Sequence, residues 1–165
     1  MVLAQFEISK AGSADLDKVL EILDDATTWL LKQGIPTVWK PGGFSRQEFL
    51  EQIQRGEVYL AFVNKDAVGT FILQWGDLVF WGGWPLDAGY VHKLAIRPSY
   101  AGKGLGVEML KSAETTARNA GKTFLRLNCM ANDRKIRDYY EKAGFVHVGD
   151  VVGPKAVASL YEKLL

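Results

Sequence analysis

Residues 94–106 read Leu-Ala-Ile-Arg-Pro-Ser-Tyr-Ala-Gly-Lys-Gly-Leu-Gly, and they restrict the fold more than any other stretch of the chain. The run from Tyr90 to Ile96 is a strand, and Pro98 stops it because proline cannot donate to a ladder. Leu105, Met109, Leu110, Ala113 and Ala117 then fall on one helical face. Between them, Gly102, Gly104 and Gly106 make a tight turn. A helix start leaves several backbone N–H groups without partners, at the positive end of the dipole. Glycine lets that backbone approach a phosphate with no Cβ in the way. The backbone from Ala101 through Gly102, Lys103, Gly104 and Leu105 to Gly106 is thus an anion cradle. Taken alone, the glycines also fit a plain turn before a helix. Walker A would need Gly-Lys-Ser/Thr at its end, which is absent. The dinucleotide motif Gly-x-Gly-x-x-Gly fails because Val107 and Met109 stand where its last glycine would fall.

The remaining elements can be placed around this segment. Leu3 to Ile8 reads as a strand. Leu16, Val19, Leu20, Leu23, Ala26, Thr27 and Leu30 recur at helical spacing, with a stop near Gly34. Ser45-Arg46-Gln47-Glu48 is a capping box opening a second helix through about Arg55. Val58–Val63 and Val68–Trp75 form a hairpin across Asn64–Ala67, and a loop follows to Asp87. After the glycine turn and its helix come a strand over Phe124–Cys129 and a helix ending at Gly144. The apolar stripe of that helix is Ile136, Tyr139, Tyr140 and Ala143, and its wet face is Arg134, Arg137, Asp138, Glu141 and Lys142. Two strands close the chain, over Phe145–Val151 and Ala156–Leu164. The order predicts a single α+β (α/β layered) domain over residues 1–165, a mixed, mostly antiparallel sheet with helices on both faces.

Composition narrows the partners. With 48% apolar and 24% charged residues, the 165-residue chain is an ordinary globular one. A net charge of +1 gives no basic field for nucleic acid. No apolar stretch approaches a membrane span, and the opening residues lack a signal-peptide pattern. Cys129, the only cysteine, excludes an internal disulfide; a cytoplasmic location is the default expectation. His92, His147 and Cys129 lack metal-ligand spacing, so no metal site is expected.

On these residues the chain resembles the GNAT superfamily of acetyl-CoA-dependent N-acetyltransferases. The family turn is Arg/Gln-x-x-Gly-x-Gly/Ala; here it is Ala101-Gly102-Lys103-Gly104-Leu105-Gly106, with Ala101 in place of Arg or Gln. A second segment, Leu127–Ala131 followed by Tyr139-Tyr140-Glu141-Lys142-Ala143-Gly144-Phe145, is similar to the family's Tyr-Glu-x-x-Gly-Phe stretch. The resemblance implies that the backbone of Leu94, Ala95 and Ile96 pairs with pantetheine. It also implies that Tyr140 is the leaving-group acid. The family's cofactor-contacting Asn falls at Asp133, with Asn132 beside it, so either residue fills that role. The implied activity is acetylation of a primary amine on a small molecule or peptide. The alternative is a CoA-binding regulatory module without turnover.

Acyl transfer from a thioester needs a held cofactor, a neutral amine, a donor for the developing oxyanion and a proton for the thiolate. On pattern alone Tyr139 and Tyr140 are core aromatics; the resemblance changes that for Tyr140. For the base, His92 alternates with Leu94 and Ile96 onto one strand face and can relay a proton at neutral pH. Asp77, Asp87, Glu57 and a water chain remain open alternatives. The acceptor is expected at the loop from Gln74 to Asp87, together with the first two helices. Trp75, Trp81 and Trp84 offer faces for a cation and Asp77 and Asp87 offer charge, so Trp75, Trp84 and Asp87 are the substrate candidates. The same aromatics also suit a core or a homodimer interface.

Overall fold

The computed structural model describes residues 5–165, and its architecture follows from where apolar residues fall along each strand. Seven strands form one sheet in the order β1-β2-β3-β4-β5-β7-β6: β1 (Phe6–Lys10), β2 (Val58–Val63), β3 (Asp66–Gln74), β4 (Ala88–Ile96), β5 (Phe124–Met130), β6 (Val146–Val152) and β7 (Val157–Leu164). All neighbours pair antiparallel except β4 and β5, which are parallel. A parallel pair needs a crossover, and α4 (Leu105–Asn119) provides it.

Helices cover both faces. On one, α1 (Leu16–Lys32) and α2 (Arg46–Gln54) bury Val19, Ile22, Leu23, Phe49 and Ile53 against Val58, Leu60 and Ile72. On the other, α4 and α5 (Arg134–Lys142) bury Leu105, Met109, Leu110 and Tyr140 against Phe71, Leu73, Leu125 and Leu127. Each fully buried Ile or Leu contributes roughly 1.5–3 kcal/mol. The Ser45 hydroxyl accepts from the Glu48 N–H at 3.2 Å and caps α2.

Four local readings change. The first strand, expected over Leu3–Ile8, runs over Phe6–Lys10 and ends two residues later; Leu3 and Ala4 lie outside the described residues. The β2–β3 connection is two residues, not four: Asn64 (φ 48°) and Lys65 (φ 72°) form a left-handed turn, and Val63 pairs with Asp66. The expected loop after Gln74 contains a one-turn helix, α3 (Leu78–Trp81), capped by Asp77, whose Oδ1 accepts from Phe80 N–H at 3.0 Å. One turn is too short to show periodicity. Finally, Arg137 and Glu141 do not belong to a purely wet face of α5. The Arg137 Nε donates to the Tyr161 hydroxyl (3.1 Å), which donates to Glu141 (2.9 Å), tying α5 to β7.

Candidate active site

β4 is the irregular strand. Thr70 pairs with Ala95 but Ile72 pairs with His92, so Phe71 alone faces both Lys93 and Leu94. Lys93 absorbs the extra residue with φ 53°, a left-handed conformation that a lysine adopts only under surrounding constraint. The bulge reverses side-chain parity. Leu94 and Ile96 join Val91 against α4 and α5, whereas His92 stays on the face of Ala88 and Tyr90. His92 therefore does not share a face with Leu94 and Ile96, contrary to the regular alternation expected.

The same strand parts from its neighbour. β4 and β5 pair from Ala88/Phe124 to Val91/Leu127 and no further. Beyond that point residues 92–96 and 128–130 line opposite walls of a cleft of about 480 Å³. The inner-edge backbone groups there are free of the ladder and need partners.

The glycine turn stands at one end of this cleft. Pro98–Tyr100 forms a 3-10 turn, and the Ala101 N–H is consumed by the Pro98 carbonyl at 3.1 Å. That N–H is therefore not available to a ligand. Gly102 and Gly104 have φ of 76° and 80°, and a Cβ on either would meet nothing within 4 Å, so the surface above them is open to a ligand. Gly104 is the N-cap of α4, which leaves the N–H groups of Leu105, Gly106 and Val107 without helical acceptors. Gly106 is small for another reason as well. A Cβ there would collide with the Tyr139 hydroxyl, so it is a contact point of α4 with α5. At the rim, the Lys103 ammonium sits 5.2 Å above the Tyr100 ring.

On the far wall Asp133 caps α5, its carboxylate accepting from Ile136 N–H at 3.2 Å, and it lines the cleft. Asn132 is exposed and does not line it. Tyr140 lines the cleft, its ring packed on Tyr139, Phe145 and Tyr161 at 5.5, 6.0 and 6.2 Å. Burial pushes its hydroxyl up from the ordinary value, which keeps it protonated. Burial likewise pushes the neighbouring Cys129 thiol up to about 12, so it is not a nucleophile at neutral pH.

Across the cleft, His92 Nε2 lies 3.5 Å from Asp77 Oδ2. That oxygen is buried and has no hydrogen-bond partner among the described residues. Burial lowers the His92 pKa, and the Asp77 charge opposes the shift in part, so the ring is neutral at neutral pH. The Asp77 carboxylate favours the tautomer that carries its proton on Nε2, which leaves Nδ1 as the basic nitrogen. The other acids are occupied elsewhere. Glu57 accepts from Arg55 and Gln74, and Asp87 pairs with Arg126 at 3.4 Å; neither lines the cleft.

Apart from Phe80, the aromatic loop does not wall this cleft. Trp75 and Trp84 do not line the cleft, nor does Asp87. Trp81, Trp84, Tyr90 and Phe124 enclose Arg126 with centroid distances of 5.1–5.8 Å, while Glu162, Asp87 and the Pro85 carbonyl complete its shell. The aromatics and carboxylates do hold a cation, but it is the chain's own Arg126, which is 2% exposed. Trp75 instead packs at Gly89 and under Lys122. From this segment only Phe80 reaches the cleft.

Sequence reasoning missed Trp29, Trp39, Lys93, Lys155 and Val157, which line the cleft with Phe80. Trp29 carried a signal: it lies off the apolar stripe of α1 and is 41% exposed, an aromatic without a core to fill.

The sequence of residues 16–145 matches the model of the acetyltransferase (GNAT) family. An uncharacterized N-acetyltransferase of Bacillus subtilis, YesJ, is 26% identical over 147 residues, covering 82% of this chain and 78% of that protein. A GNAT-family acetyltransferase structure from Listeria monocytogenes is 25% identical with a TM-score of 0.83, covering 99% of both chains. The PaiA N-acetyltransferase of Thermoplasma acidophilum, solved in complex with coenzyme A, has a TM-score of 0.78 at 20% identity, covering 98% of this chain and 99% of that one.

Proposed function

This chain belongs to the acetyltransferase (GNAT) family, and we propose that it moves the acetyl group of acetyl-CoA to a primary amine by direct attack, with His92 as base and Tyr140 as acid. The observation that carries this reading is the pair of proton-handling groups facing one cleft: neutral His92 backed by Asp77, and protonated Tyr140 on the opposite helix. Acetyl-CoA supplies an acyl group already activated as a thioester. The residues present fit such a ligand. The open left-handed glycines and the first turn of α4 suit a pyrophosphate, and the unpaired edges of β4 and β5 suit an extended amide-bearing arm. Asp133, rather than Asn132, is the α5 residue placed to meet that arm.

His92 accepts the proton that the amine loses as its nitrogen bonds to the acetyl carbon, and Asp77 stabilises the imidazolium so formed. Tyr140 donates its proton to sulfur as the carbon–sulfur bond breaks. In water a tyrosine would protonate a thiolate uphill by about 2 kcal/mol. Burial raises the Tyr140 hydroxyl and pushes the neighbouring Cys129 thiol up to about 12; a thiolate released among the same walls would likewise be a stronger base than in water. The same protonated Cys129 favours direct transfer over an acyl-enzyme.

The test is Tyr140→Phe and His92→Gln, assayed with acetyl-CoA across a panel of primary amines. Each variant should bind CoA normally and lose roughly 10- to 1000-fold in kcat. Wild-type kcat in both variants overturns the assignment of acid and base. Failure of the unmodified chain to acetylate any amine, with CoA still bound, would make it a binding module.

A further inference from the structure

The geometry points to an acceptor that carries a carboxylate beside its amine and an apolar or aromatic group, an amino-acid-like molecule and not a polycation. This rests on the acetyltransferase reading above and names the substrate class of the same cleft. The cleft that His92 lines is also walled by Trp29 of α1, Val38 and Trp39 of the following loop, Phe80 and Val157. Those faces take an apolar side chain. The charges among them are ammonium groups. Lys93 sits on the β4 bulge and Lys155 on the β6–β7 turn, and both line the cleft. The β6–β7 turn is held on this side because Gly153 lies against the Phe80 ring, where a Cβ would come within 2.8 Å.

Neither lysine forms an ion pair among the described residues. Burial pushes Lys93 down, Lys155 pushes it further, and Glu48 on α2 partly opposes them. A half-buried ammonium without a partner is under-solvated, and an anion placed beside it relieves that cost. The carboxylates around the cleft are otherwise committed. Asp77 backs His92 and Asp133 caps α5. A polyamine entering here would bring positive charge to two lysines, and the carboxylate lining the walls among the described residues, Asp133, already caps α5. An α-carboxylate would meet Lys93 and Lys155 while its amine lies near His92, one residue before Lys93 in β4.

Matched pairs test this directly: phenylalanine against phenethylamine, leucine against isoamylamine and tryptophan against tryptamine, with spermidine as the polycation. The acid of each pair should exceed its decarboxylated partner at least tenfold in kcat/KM, and spermidine should be poorest. Lys155 is exposed, so Lys155→Met should fold normally. It should raise KM for the acids by about tenfold and leave KM for the amines and for acetyl-CoA unchanged. Equal or better turnover of the decarboxylated amines or spermidine overturns the inference and leaves the acetyltransferase reading intact. So does a Lys155→Met effect confined to KM for acetyl-CoA, because the lysine would then serve the cofactor. Transfer to none of these amines, nor to any in the wider panel, overturns both.

Discussion

At the residue scale, the structure turns single side chains into chemistry by fixing their partners. His92 is an ordinary strand residue until the bulge at Lys93 leaves it on the face where Asp77 waits 3.5 Å away. Its pKa is lowered, first by burial, with Asp77 raising it in part. As the proposed base, His92 works when unprotonated, so kcat should fall only as pH drops below the ordinary histidine range near about 6.5. Asp77→Asn removes the opposing charge. The acid limb of the kcat profile should therefore move to still lower pH, while kcat on the plateau falls because the imidazolium loses its support. A limb that stays in place or rises would mean that the His92–Asp77 contact has no part in catalysis. Arg126 teaches the reverse lesson. Its ring of aromatics and acids looks like a ligand cage in sequence, yet its occupant comes from β5.

At the scale of elements, α4 and α5 must approach closely enough to set both the anion cradle and Tyr140. Gly106 and Tyr139 are that contact. Gly106→Ala should cost about 1–3 kcal/mol by overpacking, since its Cβ would need the space of the Tyr139 hydroxyl. Adding Tyr139→Phe should recover part of the loss, because the atom in the way is removed. Chemical denaturation of the two single variants and the double variant measures this. Strict additivity would show that α4 and α5 do not meet there. The hairpin Asn64-Lys65 and the capped turn of α3 belong to the same scale: each is set by local backbone conformation and side-chain caps over a few residues.

At the scale of the whole molecule, the decisive feature is that β4 and β5 pair for four rungs and then part. A ligand spanning both edges adds to the ties between the β1–β4 half of the sheet and the β5–β7 half, whose strands pair directly over just those rungs among the described residues. CoA at about 100 times its Kd should add roughly 2.7 kcal/mol to the stability of the fold. For a chain of this size that raises Tm by about 5–10 °C. Thermal unfolding with and without CoA checks it, and an unchanged Tm would mean that CoA does not bind the folded cleft.

Periodicity, caps and glycine stops were enough, from sequence alone, to determine the element order (apart from α3), the mixed sheet and the strand–turn–helix over residues 94–106. Those signals are local: they depend on residues within a turn or a strand of one another. The Tyr140–Phe145 segment was legible for the same reason, being contiguous, and the structure buries Tyr140 while leaving it on the cleft wall. What tertiary structure alone decided was everything that depends on residues far apart in the chain. It paired Asp77 with His92, gave the aromatic loop to Arg126, and brought Trp29, Phe80 and Lys155 to one cleft. It also decided the parity of β4. A left-handed lysine within a strand has no local signature, because the register of β3 and the packing on both faces impose it.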